Sequence, residues 1–189
     1  ADAETAMEGR WVEGPGRAFF DALEAKLGSL PLVAEDLGVI TEDVTGLRDD
    51  LGLPGMKILQ FAFDSGADNP YLPHNHHPNA VVYTGTHDNN TTLGWWREEA
   101  DGALRERVRD YLGRPGEEMP WPLVRAALAS VATVAVLPLQ DLLGLGGEHR
   151  MNQPGTTEGN WAWRFEWEQV PAGLDDWLAR LNRLYGRAD

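Results

Sequence analysis

The sequence has 189 residues, of which 42% are hydrophobic and 24% charged, a composition typical of a folded domain and too apolar for disorder. Its 30 acidic and 16 basic residues give a net charge of -14, which argues against nucleic acid or an anionic membrane surface as a partner. The absence of cysteine excludes disulfides and thiolate metal sites and favours a reducing compartment, so we predict a cytoplasmic location.

Apolar strands and helices alternate along the predicted chain. In order, the elements are a helix over 15–27, a strand over 30–36, a helix after Thr41 that ends at Gly52, strands over 56–63 and 79–88, helices over 91–113 and 120–130, a strand with a helical turn over 131–144, and a helix over 173–186. Such alternation is typical of parallel strands buried on both faces. About four strand–helix units make half of a (β/α)8 TIM barrel, so the predicted fold class is α/β. An open doubly wound sheet would require a glycine fingerprint after a strand, and the sequence has none.

Carboxylates stand where two of the predicted strands end. Glu35 closes the apolar stretch "LPLVAED", and His87 with Asp88 follows "VVYTGT". Two carboxyl groups on separate strand ends suit acetal chemistry, in which one group protonates the leaving oxygen and another stabilises an oxocarbenium-like centre. Glu35 is the candidate acid, because its apolar strand setting should keep it a proton donor near neutral pH.

Structural roles for the same residues remain open. Glu35 and Asp36 are equally consistent with capping the next helix or pairing with an arginine. His87 and Asp88 are equally consistent with an ordinary turn closed by a His–Asp hydrogen bond.

Two further patterns are weaker. The histidines of "LPHNHHP" favour a surface loop over a metal site, because no carboxylate stands at ligand spacing. Of the eight tryptophans, five lie near the predicted site loops, and we expect one or two of these to contact a sugar: Trp95, Trp96, Trp161, Trp163 and Trp167.

Several longer motifs carry a resemblance to a known family. The segments "GRWVEGPG", "LVAEDLGVITEDV", "GLPGMKILQFAF", "NPYLPHN", "VVYTGTHDNNTTLGWW" and "RMNQPGTTEGNWAWR" occur in order and cover nearly the whole chain. Together they closely resemble the 4-alpha-glucanotransferases called amylomaltase or disproportionating enzyme, glycoside hydrolase family 77 of the alpha-amylase clan. The resemblance implies transfer of α-1,4-glucan segments between maltooligosaccharides, without a metal or an organic cofactor.

The resemblance also implies roles for individual residues. Glu35 in "AEDLG" falls on the family's general acid/base, Asp88 in "THDN" on its transition-state stabiliser, and His87 on a sugar-binding histidine. Substrate binding is further implied for the loop residues Asn152, Pro154 and Gly155 and for Asp64, which follows the second predicted strand.

One part of the family pattern does not occur in this chain. The family nucleophile is an Asp in an Arg-x-Asp-His motif, and nothing in the sequence matches it. The expectation is therefore that residues 1–189 are the C-terminal part of a single catalytic barrel domain, that the N-terminal half of the enzyme carries the nucleophile strand, and that this chain alone is inactive. A hydrolase of the same clan and a non-catalytic glucan-binding fragment are the alternatives.

Overall fold

The computed structural model describes residues 7, 9–10, 12–113 and 116–188, so Trp11 of the first resemblance motif lies outside the described residues. The chain divides between Pro54 and Gly55 into two compact units. Its helices and strands are α1 Arg17–Leu27, α2 Glu42–Asp50, β1 Gly55–Ile58, β2 Ala80–Tyr83, α3 Thr92–Gly94, α4 Gly102–Tyr111, α5 Trp121–Ala129, β3 Val134–Val136, α6 Leu139–Leu142 and α7 Leu174–Leu184.

The first unit contains the two helices predicted for it. α1 ends at Gly28, whose φ of 77° is a left-handed conformation that glycine adopts without a steric cost, and whose N–H donates to Glu24 O at 2.8 Å. α2 follows Thr41 and carries Glu42 and Asp43 in its first turn, where acidic side chains interact favourably with the helix dipole. Both helix predictions are confirmed.

The strand predicted over residues 30–36 does not form. The segment makes one described main-chain hydrogen bond to a distant residue, from Ala34 N to Pro54 O at 2.9 Å. A strand needs a neighbouring strand to satisfy its amide and carbonyl groups, and the described residues of this unit include none. The strand prediction is therefore wrong, and the apolar residues Leu32 and Val33 are 37% and 48% exposed.

A three-stranded parallel sheet lies at the centre of the second unit, in the order β1-β2-β3. In register, Gly55 is opposite Ala80, and Val81 is opposite Val134. Parallel strands place their carboxyl ends at one edge of the sheet, so the loops that follow β1, β2 and β3 leave from the same edge. The predicted α/β class with parallel strands is confirmed.

Helices cover the sheet through two clusters of buried side chains. The larger cluster includes Val82 of β2, and Leu123 and Ala127 on one face of α5. The smaller cluster contains Val124 and Leu128 on another face of α5, together with Leu181 of α7. Positions four residues apart share a helix face, so Leu123 and Ala127 pack in the larger cluster, whereas Val124 and Leu128 pack in the smaller one.

One helix prediction needs correction. The helix predicted over 91–113 is interrupted: α3 runs into a π-helical turn, Trp95–Glu99, and the chain is extended at Ala100. A new helix then begins at Asp101, whose carboxylate accepts from Leu104 N at 2.8 Å, because aspartate is a strong N-cap. The helix predicted over 173–186 forms as α7, in which Leu174 and Leu181 are buried and Leu184 is 67% exposed. Within the described ranges, no helix has both the length and the apolar character needed to cross a membrane.

Candidate active site

The loop after β2 carries His87 and Asp88 at the carboxyl edge of the sheet. The main-chain N–H and the hydroxyl of Thr86 both donate to Asn89 Oδ1 at 2.8 Å, which closes a tight turn around the two residues. The Asp88 N–H also points inward, to Thr86 Oγ1 at 3.3 Å. Both functional side chains are left exposed to solvent.

A second loop, more than sixty residues later, contacts this turn directly. Asn152 Nδ2 donates to Asp88 Oδ1 at 2.6 Å, and Asn152 N donates to His87 O at 3.1 Å. The guanidinium of Arg150 donates to Asp88 O at 2.9 Å and to Asn152 O at 3.3 Å. Asp88 is thus held through its main chain and through one carboxylate oxygen.

The carboxylate of Asp88 has a defined orientation. His87 Nε2 lies 3.3 Å from the same oxygen that Asn152 contacts, Oδ1. Neither contact involves Oδ2, which can accept a hydrogen bond from a ligand hydroxyl. A carboxylate oriented in this way is suited to hold hydroxyl groups of a neutral ligand.

The loop is attached to the interior through Asp141 of α6, which is buried. Its carboxylate accepts the Thr84 hydroxyl at 2.5 Å, and the main-chain N–H and hydroxyl of Thr92, both at 2.7 Å. Burial raises the pKa of Asp141 above its ordinary value, while the three hydrogen bonds oppose that rise. Because Thr84 precedes the loop and Thr92 follows it, Asp141 fixes both of its ends.

A cavity of about 160 Å³ opens beside this assembly. Residues of both loops and of α6 line it, among them Thr86, His87, Asp141, Arg150, Met151 and Trp161. The indole ring of Trp161 lies 4.8 Å from the imidazole ring of His87, with the ring planes tilted by 41°.

The structure brings together His87, Asp88 and Asn152 among the predicted site residues. Pro154 and Gly155 follow Asn152 in the same loop and are exposed. Asp64 is exposed as well, and its carboxylate accepts from Asn69 at 3.0 Å. Among the described residues, no hydrogen bond joins Asp64 to the loop of Asp88, so its role in substrate binding stays a prediction.

Glu35 lies in the first unit and is exposed. The strand setting predicted for it is wrong here, because the strand is absent. Asp36 instead pairs with Arg48 of α2, and Arg48 also contacts Asp49 at 2.7 Å. The arginine-pair alternative is therefore confirmed for Asp36, whereas the catalytic role of Glu35 stays a prediction.

Two histidines of "LPHNHHP" make hydrogen bonds that hold the fold together. His76 is buried, not on a surface loop as predicted, and its ring nitrogens bond Ser130 Oγ at 2.7 Å and Tyr71 O at 2.9 Å. The ring of His74 lies between Tyr111 OH and Ala67 O, each at 2.9 Å. In the described part of the chain, no three His, Asp or Glu side chains are grouped as metal ligands would be.

Two residues of the site, Arg150 and Asp141, are not indicated by the sequence analysis, which places Trp161 near the site only as one of five tryptophans. Asp141 had the same signal as Glu35, a carboxylate beside an apolar run, in "VAVLPLQDLL". No sequence pattern indicates Arg150, because its contact with the site is to the main-chain carbonyl of Asp88, which is distant in sequence.

Parallel strands and a carboxylate-bearing loop at their carboxyl edge define an α/β protein with a candidate site where such proteins bind ligands. The sequence model of the 4-alpha-glucanotransferase family matches residues 1–169, and the chain belongs to that family.

Individual relatives agree with this assignment. The chain is 52% identical to the 4-alpha-glucanotransferase of Synechocystis sp. over 187 residues, covering 97% of this chain and 37% of that protein. It is 54% identical to the enzyme of the same name from Thermus thermophilus over 171 residues, covering 87% of this chain and 34% of that protein. The amylomaltase from Streptococcus agalactiae, solved in complex with acarbose, matches the whole chain with a TM-score of 0.93 and 35% identity, over 38% of its own length. The chain thus spans little more than one third of these proteins.

Proposed function

We propose that the full-length protein containing this chain is a 4-alpha-glucanotransferase. It cleaves an α-1,4 bond of a maltooligosaccharide and transfers the glucosyl segment to glucose or to another glucan. The observation that carries the proposal is the Asp88 carboxylate, oriented by Asn152 and His87 at the carboxyl edge of a parallel sheet, in a chain of this family.

The reaction follows a retaining double displacement. Glu35 protonates the departing glycosidic oxygen and later removes a proton from the acceptor hydroxyl. Asp88 accepts hydrogen bonds from sugar hydroxyls through Oδ2, and these bonds strengthen as the ring distorts toward the transition state. His87, Asn152, Pro154, Gly155 and Asp64 contact the glucan.

The covalent nucleophile comes from a part of the protein outside these 189 residues. Residues 1–189 form the C-terminal part of the catalytic (β/α)8 barrel, and the N-terminal half of the same enzyme completes it. The chain covers 37% of the Synechocystis enzyme, which supports a longer full-length protein. A cytoplasmic location also stays a prediction, since a relative from Arabidopsis thaliana is named as chloroplastic/amyloplastic.

Product analysis tests the activity. Full-length protein is incubated with maltotriose, and the products are resolved by length with and without added labelled glucose. A glucanotransferase gives glucose together with chains longer than maltotriose, and the label enters those chains. Glucose and maltose without longer chains, and without incorporation of label, would show a hydrolase that uses water as the acceptor.

A further inference from the structure

Trp161 has an unusual backbone conformation. Its φ is 59°, and it is the only residue other than glycine with a positive φ among the described residues. A bulky side chain is disfavoured in the left-handed region, because its Cβ crowds the backbone. The conformation is fixed by a hydrogen bond of 2.7 Å from Trp161 N to Met151 O.

Burial of the indole does not compensate this strain, because Trp161 is 57% exposed. The conformation instead places the ring beside His87 and in the wall of the 160 Å³ cavity. Strained residues of this kind concentrate at functional sites, where they aim a side chain at a ligand.

We propose that Trp161 is a sugar-stacking residue, on whose indole a pyranose ring lies when Asp88 holds the hydroxyls of the glucan. The inference rests on the proposed function and extends it to one binding residue. An indole face suits the apolar C–H face of a pyranose. The ring of Trp161 contacts His87, and the next residue, Asp88, offers its Oδ2 to hydroxyl groups.

The test exploits the positive φ. In the full-length protein, Trp161→Gly removes the indole and also the strain, because glycine adopts this conformation freely. We expect the thermal unfolding midpoint not to fall, while the Kd for maltotriose rises about tenfold. Binding is measured by calorimetry in a Glu35→Gln background, so that turnover does not consume the ligand. Trp161→Phe keeps an aromatic face and should stay within about threefold of the parent Kd.

Trp167→Gly provides the matched control. Trp167 is 77% exposed, but its ring contacts Phe165 at 5.1 Å and does not line the cavity. This variant should bind maltotriose as the parent does. Equal Kd values for Trp161→Gly and the parent, or a lower unfolding midpoint with unchanged binding, would overturn the inference and leave the proposed function standing. A parent protein that bound no maltotriose would overturn the proposed function and the inference with it.

Discussion

At the scale of single residues, the proposed function depends on how Asp88 is held. Its oxygen Oδ1 is occupied by Asn152, and its main-chain carbonyl by Arg150. A carboxylate fixed before the substrate arrives loses less conformational freedom on binding, so more of its interaction energy stabilises the transition state. The loop of Arg150 and Asn152 therefore belongs to the site as much as Asp88 does.

Asp88→Asn in the full-length enzyme isolates the charge of this residue. The amide oxygen can still accept from Asn152, so the loop geometry should persist while the negative charge is lost. We expect kcat to fall by about 10²-fold or more, with a smaller change in KM, because the contacts strengthen in the transition state. Steady-state kinetics with maltotriose measures both constants. Asp175→Asn, an exposed carboxylate in the first turn of α7, is the matched control. A change confined to KM would reduce Asp88 to ordinary substrate binding.

The raised pKa of Asp141 predicts how the free energy of unfolding depends on pH. Burial raises its pKa above the ordinary value of 3.8, so the folded protein binds its proton more tightly than the unfolded chain does. Its contribution to the free energy of unfolding is therefore complete below pH 3.8 and is lost as pH rises through the folded pKa. Asp141→Asn does not titrate, so the stability of the variant relative to the parent should increase over that range. Denaturant titrations of both proteins at several pH values measure it; a difference that stays flat or falls would contradict the assigned direction.

At the scale of elements, the close approach of the α3 turn to its neighbours depends on Gly94. A Cβ at this position would lie 2.2 Å from Asn90 Oδ1 and 2.7 Å from the main-chain nitrogen of Gly147. Because one of those atoms is backbone, the clash cannot be relieved by a side-chain rotation alone.

Gly94→Ala should therefore lower the free energy of unfolding by about 1–3 kcal/mol through overpacking. Gly102→Ala is the control: it starts α4, and a Cβ there has nothing within 4 Å. That variant should be neutral or stabilised by up to about 1 kcal/mol, since alanine favours helix. Equal unfolding midpoints for the two variants would refute the packing argument.

Most elements could be predicted from the sequence because their signals are local. Gly28 ends α1, and the spacing of Leu174 and Leu181 defines the buried face of α7. The predictions that are wrong concern segments in which the local sequence pattern and the tertiary structure disagree. Residues 30–36 have a strand pattern without a partner strand, and Asp101 starts a new helix inside a region of helical periodicity.

The site was predictable to a similar extent. His87 and Asp88 were found because they follow a parallel strand, and Asn152 because its motif resembles a family loop. The contacts of Arg150 with Asp88 and of Trp161 with His87 join residues more than sixty positions apart. No spacing rule predicts such contacts, because they depend on the folded positions of two loops.

At the scale of the whole molecule, the sheet has exposed apolar residues at its edge. Val134 and Val136 of the edge strand β3 are 47% and 40% exposed. Edge strands of this kind pair with other chains unless they are covered or charged.

The 189-residue chain alone should therefore self-associate. It should also fail to disproportionate maltotriose, because the proposed nucleophile lies outside these residues. Light scattering measures the first property, and product analysis measures the second. Val134→Lys places a charge on the edge and should reduce self-association. A monodisperse chain with robust activity would show that the nucleophile lies within these residues, with Asp36 and Asp64 as the carboxylates to examine.

We propose Glu35 as the general acid/base of the full-length enzyme. The most direct test is Glu35→Gln in the full-length protein, with turnover and binding of maltotriose measured on the same sample. We expect a turnover rate lower by about 10²–10⁴-fold and a maltotriose Kd close to that of the parent, since the amide keeps the shape of the side chain but donates no proton to the leaving oxygen. A Glu35→Gln protein that disproportionates maltotriose at near the parent rate would contradict this role of Glu35.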